Sequence, residues 1–159
     1  VLELAKIPFL AEAATPIEAS ATTYSLTTGA ESYALTPVSM GNPHGVLFVD
    51  DIFDTDVDAI GAKLTRHAAF PEGANIGFCQ VVDRQFMRLR VFERGVGETQ
   101  ACGSGACAAV VAGRLWDQLA PRVNVALRGG NLVVKWAGEG SPVYMTGPAT
   151  QVFLGEIDL

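Results

Sequence analysis

Residues 101–113 read ACGSGACAAVVAG, a run with no charge and almost no large side chain. A helix that is apolar on every side has to be buried all round, so this stretch forces the remaining chain to enclose it. Its first turn, Cys102-Gly103-Ser104-Gly105, leaves unpaired backbone N–H groups where no bulky side chain blocks a ligand. The same helix end favours negative charge, which suits a bound carboxylate and favours a thiolate at Cys102.

The segments around this run read as strands. Val1–Leu4 is strand-like, and residues 5–21, rich in alanine and containing proline, read as a connector. Residues 22–28 and 32–37 form a predicted hairpin around Thr28-Gly29-Ala30. Val38–Met40 lead into the turn Gly41-Asn42-Pro43-His44, followed by a strand over 45–49. Asp54 and Thr55 open a predicted helix with Asp58 as capping-box partner and Val57, Ile60 and Leu64 as its inner stripe. A loop over 70–75 precedes a strand at 76–82. Residues 86–94 alternate with period two, placing Met87, Leu89 and Val91 on one face, Arg88 and Arg90 on the other, and Glu93 on the apolar face. Strands follow at 123–127, 132–136, 143–146 and 151–154. Few connections read as βαβ crossovers. The expected fold is α+β: a mostly antiparallel, strongly curled sheet wrapped around one central buried helix.

Composition narrows the function. A chain of 159 residues with 49% hydrophobic and 18% charged residues supports one domain with a real core. A net charge of -6 argues against nucleic acid or an anionic membrane as partner and leaves a small molecule. No apolar stretch is long enough to span a bilayer. Three cysteines without disulfide spacing fit a reducing compartment, the cytoplasm by default.

Each polar residue that stands out has a plain structural reading beside a functional one. Cys102 is either a small core residue or a functional thiol at a helix start, whereas Cys79 and Cys107 read as core. No Cys/His spacing suggests a metal, and none is expected. Glu93 is either buried and paired, as suits proton transfer, or reaches solvent at a strand end. His44 is held by its turn, as a satisfied structural group or an acid/base. His67 reads as a helix-end surface residue, and Trp116 and Trp136 as packing residues. Asn42 and Asn75 are turn formers or ligands, and Arg94 is a surface neighbour of Glu93 or a carboxylate clamp.

Taken together, MGNPH at 40–44, PEGANIGF at 71–78, ERGVGETQACGSGACA at 93–108 and YMTGPA at 144–149 resemble, in order and spacing, the signature blocks of diaminopimelate epimerases. That resemblance implies a cofactor-independent isomerase that interconverts LL- and meso-diaminopimelate, with two cysteines on opposite sides of the substrate α-carbon. It matches Cys102 to the second cysteine and His44 and Glu93 to auxiliary acid/base groups. Asn42, Asn75 and Arg94 match substrate-binding positions, and Gly103 and Ser104 the helix start that receives the α-carboxylate. It further implies that residues 1–159 form a single lobe equivalent to the second half of such an enzyme. Residues 1–21 and 148–159 would then cross towards a first lobe that carries the other cysteine. The expected partners are therefore diaminopimelate and that first lobe, with a homodimer left open, and the isolated chain is expected to be inactive. A proline racemase-like isomerase, a cysteine hydrolase using Cys102, His44 and Glu93, and a carboxylate-binding lobe without catalysis are the alternatives.

Overall fold

The structure is a computed structural model and describes residues 7–17 and 22–157. The strand expected at Val1–Leu4 lies outside these residues. In chain order come a 3-10 turn at Ala11–Ala13, β1 (Thr15–Pro16), β2 (Tyr24–Thr28), β3 (Glu31–Ser39), β4 (Pro43–Phe48), α1 (Val57–Leu64) and β5 (Asn75–Asp83). They are followed by β6 (Phe86–Glu93), β7 (Gly97–Thr99), α2 (Gly103–Leu115), β8 (Arg122–Leu127), β9 (Gly130–Lys135) and β10 (Tyr144–Thr146).

The strands lie in the order β1-β2-β3-β4-β5-β6-β8-β9-β10. β7 shares the far edge of β6 with β8: β8 pairs with Phe86–Arg88, and β7 pairs with Val91, Phe92 and Glu93. The fold is α+β with few helices, as expected, but the sheet is mixed. β4–β5 and β6–β8 are parallel, because the chain between each pair makes a crossover, one carrying α1 and the other α2. Nor is the sheet a strongly curled wrapper around one helix, because its central strands bury side chains on both faces. Val38, Val46, Cys79, Met87, Leu89 and Val91 join α2 in one core. Leu35, Leu47, Ile76 and Phe78 join Val57 and Leu64 of α1 in a second, together with Ile7 and Phe9 from the presumed connector.

Helix α2 is enclosed as its composition demands. Ala106, Ala108, Ala109, Val110, Val111 and Ala112 are fully buried, against β3 to β6 and against β9 and β10. Its C-terminus closes in a Schellman motif: Gln118 N–H donates to Gly113 O at 2.9 Å and Asp117 N–H to Arg114 O at 3.1 Å. Asp117 takes the left-handed conformation, φ 53, that the motif requires, and Arg84 holds both its carbonyl and its carboxylate at 2.8 Å.

Two local expectations change. Asp56, not Asp54 or Thr55, caps α1, accepting from Ala59 N–H at 3.0 Å. Thr55 instead donates its hydroxyl back to Asp51 O at 2.6 Å, so it stabilises the preceding turn. The strand expected at 151–154 does not form, since among the described residues no strand pairs with it, and Val152, Phe153 and Leu154 are each more than 80% exposed.

Helix α1 sits on β6 through a glycine. A Cβ at Gly61 would lie 2.6 Å from Phe92 Cβ and against the ring. Gly61→Ala should therefore destabilise the fold by about 1–3 kcal/mol from overpacking, outweighing the roughly 1 kcal/mol that alanine gains in helix propensity. Urea midpoints of the two proteins check this, and a more stable variant would contradict the packing.

Candidate active site

The candidate site residues sit at the ends of strands and at the start of α2. The turn before β4 places Gly41 at φ 89 and returns Met40 N–H to Asn42 O at 3.1 Å. His44 then enters β4 opposite Val38 and beside Asn75 at the start of β5. The residue is 1% exposed. Nε2 lies 3.0 Å from Asn42 Oδ1, an atom that only accepts, so Nε2 carries the proton. Burial pushes the His44 pKa down to about 4, which keeps the imidazole neutral at neutral pH.

Asn75 is also buried, and its Oδ1 accepts from Arg94 N–H at 2.9 Å, tying the end of β6 to the start of β5. The Arg94 side chain runs back under Gly73 and donates from Nη1 to Glu72 O at 2.6 Å. There it lines a cavity of about 640 Å³ with Arg66, Glu72 and Phe92. Of the eight predicted site residues, only Arg94 faces this cavity; Cys102, His44 and Asn42 do not.

Glu93 is half-buried at the end of β6, and its Oε1 accepts from Thr99 Oγ1 at 2.6 Å. Thr99 belongs to β7, which is held by a charged network on the opposite face. Arg90 forks onto Glu98 through Nε at 2.7 Å and Nη2 at 2.8 Å, and Arg128 adds a contact at 3.2 Å. Arg90 Nη1 also donates to Ile52 O and Thr55 O, tying the network to the loop before α1. Hydrogen bonding from Arg90 holds the Glu98 carboxyl below its ordinary pKa, so this side chain, 7% exposed, stays charged.

Cys102 occupies the N-cap of α2 in extended backbone, and its side chain makes no cap hydrogen bond. It is 7% exposed, with Sγ 3.6 Å from Ser104 Oγ. Gly105 packs closely here: a Cβ would lie 3.1 Å from Val91 Cγ2 and 3.2 Å from Cys102 Sγ. Val91 lies two residues before Glu93 on the same face of β6, and it shares the α2 core with Cys102. Over Gly103 lies Met145 of β10, whose sulfur would be 3.1 Å from an added Cβ. Burial raises the pKa of the Cys79 and Cys107 thiols, leaving both as core groups.

The structure thus gathers Asn42 with His44, Asn75 with Arg94, and Cys102 with Gly103 and Ser104. Among the described residues no hydrogen bond joins Cys102 to His44 or Glu93, which is the relay a cysteine hydrolase would use. Among the described residues no three His, Cys, Asp or Glu side chains converge to hold a metal. Sequence reasoning missed Thr99, the Arg90–Glu98 fork and Met145. Gly95 and Gly97, both at positive φ, were the available signal of a return strand that pairs Thr99 with Val91.

The diaminopimelate epimerase family model matches residues 36–152. A curated relative, the diaminopimelate epimerase of Halorhodospira halophila (strain DSM 244 / SL1), is 54% identical over 158 residues, which is 99% of this chain and 53% of the relative. The chain therefore spans about half the length of that relative. Among solved structures, the Bacillus anthracis phenazine biosynthesis protein of the PhzF family aligns with a TM-score of 0.51 at 20% identity, over 78% of this chain and 38% of that one. The Enterococcus faecalis PhzF-family protein aligns with a TM-score of 0.51 at 16% identity, over 67% and 40%. These two likenesses concern the fold alone.

The buried histidine gives the site a pH signature. Its folded-state pKa, about 4, lies below the ordinary 6.5, so between these values the unfolded chain binds more protons than the folded one. The contribution is intact above the ordinary value and is lost as pH falls towards 4, by up to about 3 kcal/mol. Urea unfolding at pH 7 and pH 4.5 should show this loss in the wild type and a smaller one in His44→Gln. Equal losses in both would contradict it.

Proposed function

The chain belongs to the diaminopimelate epimerase family, and from that premise we propose that it forms one wall of a two-cysteine site that interconverts LL- and meso-diaminopimelate. A first lobe, equivalent to the half of the relative that this chain does not span, supplies the opposite wall and the second cysteine. Both belong to an enzyme of the cytoplasm, where three free thiols persist.

The observation that carries this reading is the position of Cys102: a buried thiol at the N-cap of a buried helix, making no cap bond and lying beside Ser104. The N–H groups of Gly103 and Ser104 receive the substrate α-carboxylate, where the helix end stabilises the negative charge that develops as the α-proton leaves. Cys102 gives or takes that proton on one face, and the first lobe's cysteine acts on the other. Glu93 and His44 serve as the auxiliary groups for cysteine protonation, and His44, neutral at working pH, is able to accept a proton. Asn42 and Asn75 already use their carbonyl oxygens within the chain. Their NH₂ groups remain as donors to the substrate, with the Arg94 guanidinium as its second carboxylate partner.

One wall cannot deliver a proton to the opposite face of the α-carbon. Incubated alone with LL-diaminopimelate in deuterated water, the chain should form no meso isomer. Adding the first lobe should restore exchange and epimerisation together, and Cys102→Ala should then reduce the rate by about 10²-fold or more. Formation of the meso isomer by the chain alone, or full activity of Cys102→Ala, would overturn the reading.

A further inference from the structure

We infer that Thr99 is a positioning residue for Glu93, and that the Arg90–Glu98 fork keeps it in place from the other face of the sheet; the inference rests on the epimerase reading above. Strand β7 is only three residues long and, among the described residues, pairs with β6 alone. A three-residue strand at the edge of the sheet makes few ladder hydrogen bonds, so side-chain contacts add to its ladder in fixing its register. Alternation along β7 sends its neighbouring side chains to opposite faces. Thr99, paired with Val91, turns towards the α2 face, and Glu98, paired with Phe92, turns away from it.

The two sides then do different work. On the far face, Glu98 is held by two nitrogens of Arg90, and Arg90 is itself held by Ile52 O and Thr55 O. A bidentate guanidinium–carboxylate pair is directional, so it fixes where β7 lies along β6 and not merely that it stays near. On the α2 face, the fixed register sets the Thr99 hydroxyl diagonally against Glu93, 2.6 Å from Oε1. A half-buried glutamate at a strand end, followed by glycines at 95 and 97, has several rotamers open to it. The hydroxyl selects one and occupies one carboxylate oxygen, which leaves Oε2 for proton transfer. Glu93 is thereby held on the face of β6 where Val91 joins Cys102 in the α2 core.

The test compares Thr99→Val, which keeps shape but loses the hydroxyl, with Thr99→Ser, which keeps the donor. In the chain alone, the side-chain carboxyl ¹³C resonance of Glu93 at pH 7 should move in Thr99→Val and stay near its wild-type position in Thr99→Ser. In the enzyme assembled with its first lobe, Thr99→Val should lower kcat about tenfold with KM for diaminopimelate unchanged, and Thr99→Ser should retain wild-type turnover. An unmoved resonance in Thr99→Val, or a moved one with unchanged kcat, would overturn the inference while leaving the epimerase reading intact. An assembled wild-type enzyme that epimerises nothing would overturn that reading, and this inference with it.

Discussion

The candidate site of this chain depends on the burial of α2. A helix of alanine, glycine and valine offers little side-chain surface, so it is stable only where other elements approach closely on all sides. β3 to β6 and β9 to β10 provide those surfaces, and the small residues let them come near: Gly105 meets Val91 and Gly113 meets Leu119. Because the core on that side is closed by the helix itself, the N-terminus of α2 is fixed relative to the end of β6. A thiol at that N-terminus inherits the same fixity.

The polar groups follow a second rule, that a buried hydrogen-bonding group needs a partner. His44 is paired with Asn42, Asn75 with the Arg94 backbone, Glu93 with Thr99, and Glu98 with Arg90. In the first three pairs one member lies at a strand end and the other in, or next to, a glycine-containing turn. The turns thus do more than reverse the chain: they bring a second polar atom to a side chain that the strand alone would leave unsatisfied. Most of these bonds use one atom of each group and leave another for a ligand.

Much of this was legible in the sequence. The all-small run at 101–113 foretold the buried helix, and the alternation of Met87, Leu89 and Val91 foretold the face it packs on. The signature blocks foretold the family. Sheet order was not legible, because β4 and β5 are near-continuous apolar runs, buried on both faces and carrying no period-two signal of one exposed side. The cap of α1 was misplaced because Asp54, Thr55 and Asp56 are all competent caps, and only the backward bond of Thr55 to Asp51 decides among them. At the site, the positions of Cys102, Glu93 and His44 were readable but their partners were not. Thr99 reaches Glu93 only through the register of a three-residue strand, and Met145 reaches Gly103 only through tertiary packing.

Diaminopimelate is proposed to bind against the Cys102 thiol at the start of α2. The most direct measurement is substrate protection of that thiol, with the alkylation rate of each cysteine followed by mass spectrometry in the enzyme assembled with its first lobe. Saturating diaminopimelate should slow alkylation of Cys102 by about tenfold or more and leave Cys107 unchanged. Alkylation of Cys102 at the same rate with and without diaminopimelate would contradict it.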